Sequence, residues 1–348
     1  MKILVIGVFD LETDESHIAQ TLEQMGHDVV RWRPQRGGGH RKRFGGAAGA
    51  IVGLWDAAIS RAPVCQTRRL RSLLETCEVG VDLTIVCHDF LTPFQVAKLK
   101  EKTGTPVVLW FLDHVGVFGK GMFMAANYDY RFFKDPYIVA VLTDQYGLGN
   151  VYYLPECCNV HALGEARPSE EYSCDIAIDG SLHAFRVSVL SRLSRYRVKV
   201  WGDSAPWWIR APGVDAMSQH RFVAGEEKAV ALCSAAIVLN TLHPAEIWGV
   251  NRRAFEAAGA GAFQLLHWKP GLSQLFEDGS EVVSFRTIDE LGPLIDYYLG
   301  HPEERAPIAR AGRIRAFSDH TFDMRLELMF ATVGGAAHGY ERPEMATA

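Results

Sequence analysis

Met1-Lys2-Ile3-Leu4-Val5-Ile6-Gly7-Val8-Phe9-Asp10-Leu11-Glu12-Thr13-Asp14-Glu15 opens the chain, and its continuation to Trp32 decides the fold. The run 3–8 is apolar without alternation, which fits a strand buried on both faces better than one lying half in water. Ile18, Ala19, Leu22 and Met25 then recur at three- and four-residue spacing, Gly26 supplies a stop, and 28–32 reads as a second strand. This is a βαβ unit. The pattern returns at 82–87, a strand ending in His88-Asp89, followed by a helix to Lys102 and a strand over 106–112 ending in Asp113-His114. Strands alternating with helices predict a parallel sheet covered on both faces.

The second half repeats the pattern. A strand over 174–178 leads into the turn Asp179-Gly180-Ser181 and a helix through Phe185, Val189, Leu190 and Leu193. Strands at 198–202, 235–240, 262–266 and 281–285 follow, with helices from Glu226 and from Arg252. The polar stretch 164–173 reads as a linker, so the expected divisions are 1–163, 164–318, and a closing helix and tail over 319–348 with Phe322, Leu326, Met329 and Phe330 on one face. The fold class is α/β, two doubly wound domains, and ligands of such sheets bind beyond the carboxyl ends of the strands, here a cleft that both domains face.

Composition excludes several classes. At 348 residues, 48% hydrophobic and 22% charged, the chain is ordinary for globular protein of two domains. A formal charge of −5, from 36 Lys+Arg against 41 Asp+Glu, gives no overall attraction to phosphate backbones or anionic lipid, so nucleic acid is a disfavoured partner. The longest apolar runs, 44–55 and 229–239, fall short of the roughly 18–20 residues that span a bilayer. The start turns acidic at Asp10, unlike a signal peptide, and the seven cysteines show no Cys-x-x-Cys pair, a reduced and cytoplasmic pattern. One local exception is the basic stretch 31–43, with Arg31, Arg33, Arg36, Arg41, Lys42, Arg43 and a Gly37-Gly38-Gly39 run, which reads either as a solvated loop or as a loop for an acceptor or phosphate.

Gly119-Lys120-Gly121 is not a phosphate loop, because His114 stands where its first glycine belongs and no Ser or Thr follows the lysine. Gly7 is alone after the first strand, which removes the dinucleotide fingerprint. The richest constellation is Asn240-Thr241-Leu242-His243 followed by Gly249-Val250-Asn251-Arg252-Arg253-Ala254-Phe255-Glu256-Ala257-Ala258-Gly259. A strand ends in small polar residues and a helix begins with arginines, so its N-terminus and Arg253 can hold diphosphate oxygens, with Glu256 one turn on for ribose hydroxyls. An ordinary Arg–Glu pair on a helix surface has the same spacing.

From Tyr152 onward the chain resembles the CgeB-like (spore maturation protein) family of glycosyltransferases. The matching residues are Asp179-Gly180-Ser181 with Arg186, Val238-Leu239-Asn240, 249–257 with Gly259 and Gly261, Leu275-Phe276-Glu277-Asp278-Gly279, Tyr297-Tyr298-Leu299, Glu303-Glu304-Arg305, Ala311-Gly312-Arg313 and His320-Thr321. The first half matches more loosely, through 108–113, Tyr128-Asp129-Tyr130 and 152–155. The resemblance implies a GT-B architecture of two Rossmann-like domains, an N-terminal acceptor side and a C-terminal domain for a nucleotide-diphosphate sugar, a UDP-sugar being the expected donor and co-substrate.

On that footing the donor-binding candidates are Gly180, Ser181, Arg186, Trp201, Gly202, Asn240, His243, Arg253, Glu256 and Gly259, and the candidates for a catalytic base are Asp113, His114 and His88, with Asp10 and Asp89 behind them. No metal is required, since arginines and a helix N-terminus can stabilise a departing diphosphate. Related retaining enzymes carry two glutamates eight positions apart, and the earlier position here is Trp248. Pro206-Trp207-Trp208 can stack a base or a sugar, though bulky aromatics more often fill a core. The expected activity is transfer of a hexose-type sugar to an acceptor, whether protein, glycan or small molecule. The alternatives are a non-catalytic binding protein of the same fold and a nucleic-acid glucosyltransferase.

Overall fold

The computed structural model describes residues 1–34, 63–114, 116 and 121–335. Its first sheet has six strands in the order β2-β1-β3-β4-β5-β6, with β1 Lys2–Ile6, β2 Asp28–Trp32, β3 Leu83–Cys87, β4 Val107–Phe111, β5 Tyr130–Phe133 and β6 Val151–Tyr153. Helices α1 (Asp14–Gln24), α2 (Pro63–Thr76) and α3 (Pro93–Thr103) follow β1, β2 and β3. β1 lies parallel to both β2 and β3. Ile3, Leu4, Val5 and Ile6 are all fully buried, as the unbroken apolar run requires. α3 is fixed at both ends: Thr92 and Gln95 form a reciprocal capping box, Pro93 opens the helix, and Gly104 closes it in the left-handed region at φ 65°.

β5 is the strand that the sequence reading passes over. Its Tyr-Arg-Phe-Phe sequence places an arginine among aromatics, which argues against a buried strand. Arg131 is nonetheless buried, because its guanidinium donates to the carbonyls of Ala126 and Gly149 at 2.7 and 3.2 Å.

The second sheet has five strands in the order β11-β10-β9-β7-β8, with β7 Cys174–Asp179, β8 Val198–Trp201, β9 Ala235–Asn240, β10 Gln264–His267 and β11 Val283–Phe285. Its neighbouring strands are all parallel. The helices are α4 (Ala184–Leu190), α5 (Gly225–Cys233), α6 (Arg252–Gly259), α7 (Leu291–Gly300), α8 (Pro302–Asp319) and α9 (Phe322–Val333). One face of the sheet, with Ala177, Val238 and Leu266, packs on Phe255 of α6 and on Phe276. The other, with Ile176, Ile178, Val200 and Leu265, packs on Leu190 of α4 and Ile295 of α7.

The chain divides into two compact units that are not consecutive in sequence. The first comprises Met1–Asp113, Phe118–Phe132 and Leu148–Tyr152; the second comprises His114–Val117, Phe133–Gly147 and Tyr153–Ala348. α9 buries Phe322, Leu326 and Met329, with Phe330 half-buried. The described cysteines are free thiols, and among the described residues no helix is long and apolar enough to cross a membrane.

His320, between α8 and α9, is buried with its ring tied at both nitrogens. Arg325 donates to Nδ1 at 2.7 Å, so the proton sits on Nε2, which donates to the Leu275 carbonyl at 2.6 Å. Burial, then the Arg325 charge, pushes its pKa down to about 3. A histidine whose pKa is depressed by folding adds stability that is complete above about 6.5 and drains away as pH falls toward 3, about 2 kcal/mol by pH 5. His320→Gln should therefore lower stability at pH 7.5 yet flatten its fall between pH 6.5 and 5, read from urea midpoints. An unchanged slope would remove His320 as the titrating group.

Candidate functional site

The chain runs from β7 outward to β8, then returns to the other side of β7 to form β9, so strand order reverses between β7 and β9. Their carboxyl ends are the place where such a sheet opens to a ligand. Asp179 closes β7, and Gly180 turns at φ 110°, a conformation that side chains of L-residues rarely adopt. A Cβ on Gly180 would stand 2.4 Å from Nη2 of Arg253, so the guanidinium lies flat on the glycine backbone. A Cβ on Gly202 would stand 2.5 Å from the Gly180 carbonyl. Glycine at both positions lets the turns after β7 and β8 close on each other beneath Arg253.

Arg253 stands in the first turn of α6. Its Nε is 3.7 Å from Oδ2 of Asp179, too far for a hydrogen bond, and this buried nitrogen has no partner. Asn251, at the N-cap of α6, gives the helix no side-chain cap, because its amide is paired with Asn240 at 3.0 and 3.3 Å. Arg186 is buried beside it, donating from Nη1 to the Ser181 carbonyl at 2.7 Å and from Nε to the Thr241 hydroxyl at 3.2 Å. That clamp ties the turn after β7 to the end of β9. Burial, then repulsion from Arg253, pushes the Arg186 pKa down to about 9, while burial raises that of Asp179 against the pull of Arg253. Two guanidiniums facing one carboxyl leave a surplus of positive charge that an anion would relieve.

Glu256 lies one turn further, inside the protein. Its Oε1 receives Nζ of the buried Lys228 at 3.0 Å and lies 3.1 Å from Nε of Arg252. Burial would raise the Glu256 carboxyl, but Arg252 and Lys228 outweigh it and bring its pKa to about 2. It is an ionised acceptor. Asp179, Asn240, Arg253 and Glu256 line one small recess with Leu232, Val238, Leu239 and Ala257.

Three histidines gather at the same end of the sheet. His243 stacks on His114 at 4.6 Å and meets His183 edge-on at 5.0 Å. In each, Nδ1 accepts a backbone N–H, from Gly116, Arg186 and Ala245 for His114, His183 and His243 respectively. When neutral, all three therefore carry their proton on Nε2 and can act there as hydrogen-bond donors. Burial, then Arg186, lowers the pKa of His183 to about 4.

Other sequence candidates fall elsewhere. His88, at φ 60°, lies 3.8 Å from Glu15 and edge-on to Phe90 and Phe111, all in the first unit. Asp113 is half-buried just past β4. Asp89 caps the helical turn Met122–Ala125 through the N–H groups of Met122 and Phe123. The Trp201 side chain is buried in the core next to Tyr172. Gly259 is packed so closely that a Cβ would stand 2.6 Å from Leu163. Ser181 is exposed at the turn. In the basic stretch, Arg31 pairs with Glu23 and Arg33 with Asp10, while Arg36, Arg41, Lys42 and Arg43 lie outside the described residues. Lys120 of Gly119-Lys120-Gly121 lies outside them too.

Sequence reasoning misses a second charged cluster. Buried Lys134 donates to Glu156 at 3.0 Å and to Glu246 at 2.8 Å, and the two carboxylates outweigh its burial and raise its pKa. Next to it, Asp135 accepts the N–H groups of Ile247 and Trp248. Trp248 is thus pinned, and the nearest carboxylate in sequence, Glu246, faces Lys134. Lys228 is missed as well, since Glu226 and Glu227 immediately before it make the first turn of α5 read as a solvated charged surface. Among the described residues, His301, Glu303 and Glu304 bring ligand atoms close enough for one cation, and all three lie at the start of α8, outside the β7–β9 site.

Residues 184–331 match the family model described as glycosyl transferase-like. Spore protein CgeB of Bacillus subtilis is 24% identical over 202 residues, 53% of this chain; the match spans 62% of that protein's own length. Three solved structures share the fold over 96% of the chain. They are a sucrose-phosphate synthase from Thermosynechococcus elongatus (TM-score 0.65, 12% identity, 99% of that chain), a glycosyltransferase from Rickettsia africae (0.63, 12%, 98%) and Anabaena HepE in complex with UDP-glucose (0.61, 13%, 99%). The fold is GT-B, with two Rossmann-like sheets.

Proposed function

We propose, on the premise that residues 184–331 match a glycosyl transferase-like domain, that the protein transfers a sugar from a nucleoside-diphosphate sugar to an acceptor hydroxyl. UDP-glucose in HepE supports a UDP-sugar as the donor. The observation that carries the reading is Arg253 seated on Gly180 where strand order reverses, its Nε without a hydrogen-bond partner and a second guanidinium close behind.

On this reading the diphosphate lies over Gly180 and the start of α6, with Arg253 as its charged fork. Breaking the sugar–phosphate bond puts negative charge on the departing oxygen, and positive charge fixed beforehand by Arg186 and the helix N-terminus stabilises it without reorganisation. Glu256, held ionised, accepts the ribose hydroxyls. His114, His183 and His243 donate from Nε2 to sugar or phosphate oxygens, so His114 acts as a donor, and the acceptor hydroxyl's proton passes to the departing phosphate oxygen as the new glycosidic bond forms. The division into donor and acceptor domains belongs to the same proposal.

Arg253→Ala should weaken UDP binding about 10- to 150-fold, the worth of a hydrogen bond to a charged group, with the melting temperature close to wild type because the side chain is 40% exposed. Calorimetric titration measures this. Unchanged affinity would remove Arg253 from the diphosphate. UDP-sugar binding without hydrolysis or transfer in the wild type would favour a binding protein over an enzyme.

A further inference from the structure

Trp207 and Trp208 are 80% and 66% exposed and Phe222 is 53% exposed, where large aromatics ordinarily seek cover. The tryptophans form a 3₁₀ turn after Pro206, with their rings edge-to-face at 5.8 Å. The turn is anchored on both sides, by buried Ala205 and by Ile209 packed on the core. Ser204 meets His220 at 3.0 Å, and the N–H of Gly202 donates to the Arg221 carbonyl at 3.0 Å. These bonds join the two loops that carry the three aromatics.

Both loops are tied to the proposed donor site. The N–H of Leu182, two residues past Gly180, donates to the Asp203 carbonyl at 3.4 Å. Phe222 stands just before α5, whose Lys228 holds Glu256. A nucleotide with its diphosphate over Gly180 and its ribose at Glu256 would extend its base toward these loops. We infer that Trp207, Trp208 and Phe222 form the platform on which the nucleobase of the donor stacks. This inference rests on the donor-site reading above and adds to it the group that recognises the base. The exposed π-faces are the chemistry required, since stacking holds a flat base without reading its edge.

The test compares UDP with ribose 5-diphosphate, which lacks the base, by calorimetry on the full chain. Trp207→Ala, Trp208→Ala and Phe222→Ala fold normally, because the side chains are exposed. At least one should weaken UDP about 5- to 150-fold while leaving ribose 5-diphosphate unchanged. UDP should quench tryptophan fluorescence in the wild type, and less in that variant. Equal losses for both ligands, or three variants that bind UDP like wild type, overturn the inference. Variants that keep UDP affinity but raise the acceptor KM, or that change only the oligomeric state, assign the platform to a saccharide or to a second protein surface and overturn it too. If the wild type binds neither ligand, the donor-site reading itself fails, an outcome distinct from all of these.

Discussion

Replacing Lys134 by methionine should cost about 3–5 kcal/mol of stability, enough to unfold much of the protein at 37 °C. Lys134, Glu156 and Glu246 are nearly inaccessible to water, and the ammonium is the cation that both carboxylates contact. Removing it leaves two buried carboxylates facing each other without the ammonium that both contact. The penalty comes from the stranded charges and not from the lost attraction. The triple variant Lys134→Met, Glu156→Gln, Glu246→Gln should accordingly recover most of the loss. Urea unfolding of the three proteins checks both statements, and a Lys134→Met midpoint within error of wild type would show that the cluster is already hydrated.

Glu256→Gln should cost a similar amount, about 3–5 kcal/mol, because it removes the ionised carboxylate that buried Lys228 donates to at 3.0 Å. The wild-type carboxyl is held near 2, below its unfolded value of about 4.3. A carboxylate of depressed pKa contributes fully above the unfolded value and loses that contribution as pH falls toward the folded one, about 3 kcal/mol in all. Glu256→Gln should therefore lack this component of the acid limb between pH 4.5 and 2. A variant that unfolds in acid as steeply as wild type would contradict the assignment. Any effect of Glu256→Gln on nucleotide affinity has to be read beside its melting curve, since its structural role precedes any role at the ribose.

Features carried by local sequence were legible. The apolar run 3–6 and the spacing of Ile18, Ala19 and Leu22 each speak through near neighbours, and β1 and α1 stand where the sequence places them. β5 was not legible, because the carbonyls that satisfy Arg131 come from two separate loops. The same holds for the site. Gly180 and Arg253 are recognisable one at a time, but their stacking depends on how β7 meets α6. Lys134 and Glu246 are 112 residues apart, and no spacing rule joins them. The spacing of Arg253 and Glu256 suggests one shared helix face, and both line one recess, yet Arg253 stays 40% exposed while Glu256 is buried against Lys228, a difference that spacing does not reveal. Trp201 and Trp207, close in sequence, have opposite fates, one inside and one in water, since a strand ends between them.

The interleaving of the two units bears on how such a protein can be rearranged by evolution or by hand. Because the chain changes unit at 113/114, 117/118, 132/133, 147/148 and 152/153, no single crossover in the gene exchanges one unit whole for a homologue's. A chimera joined in the polar stretch 164–173 would bring a foreign Glu246 to the native Lys134 and Asp135, so the hybrid inherits a mismatched pair unless both sides are carried together. New specificities are therefore reached more readily by substitution in exposed loops than by shuffling modules, and a working transplant has to move 114–117 and 133–147 along with the chain from 153 onward.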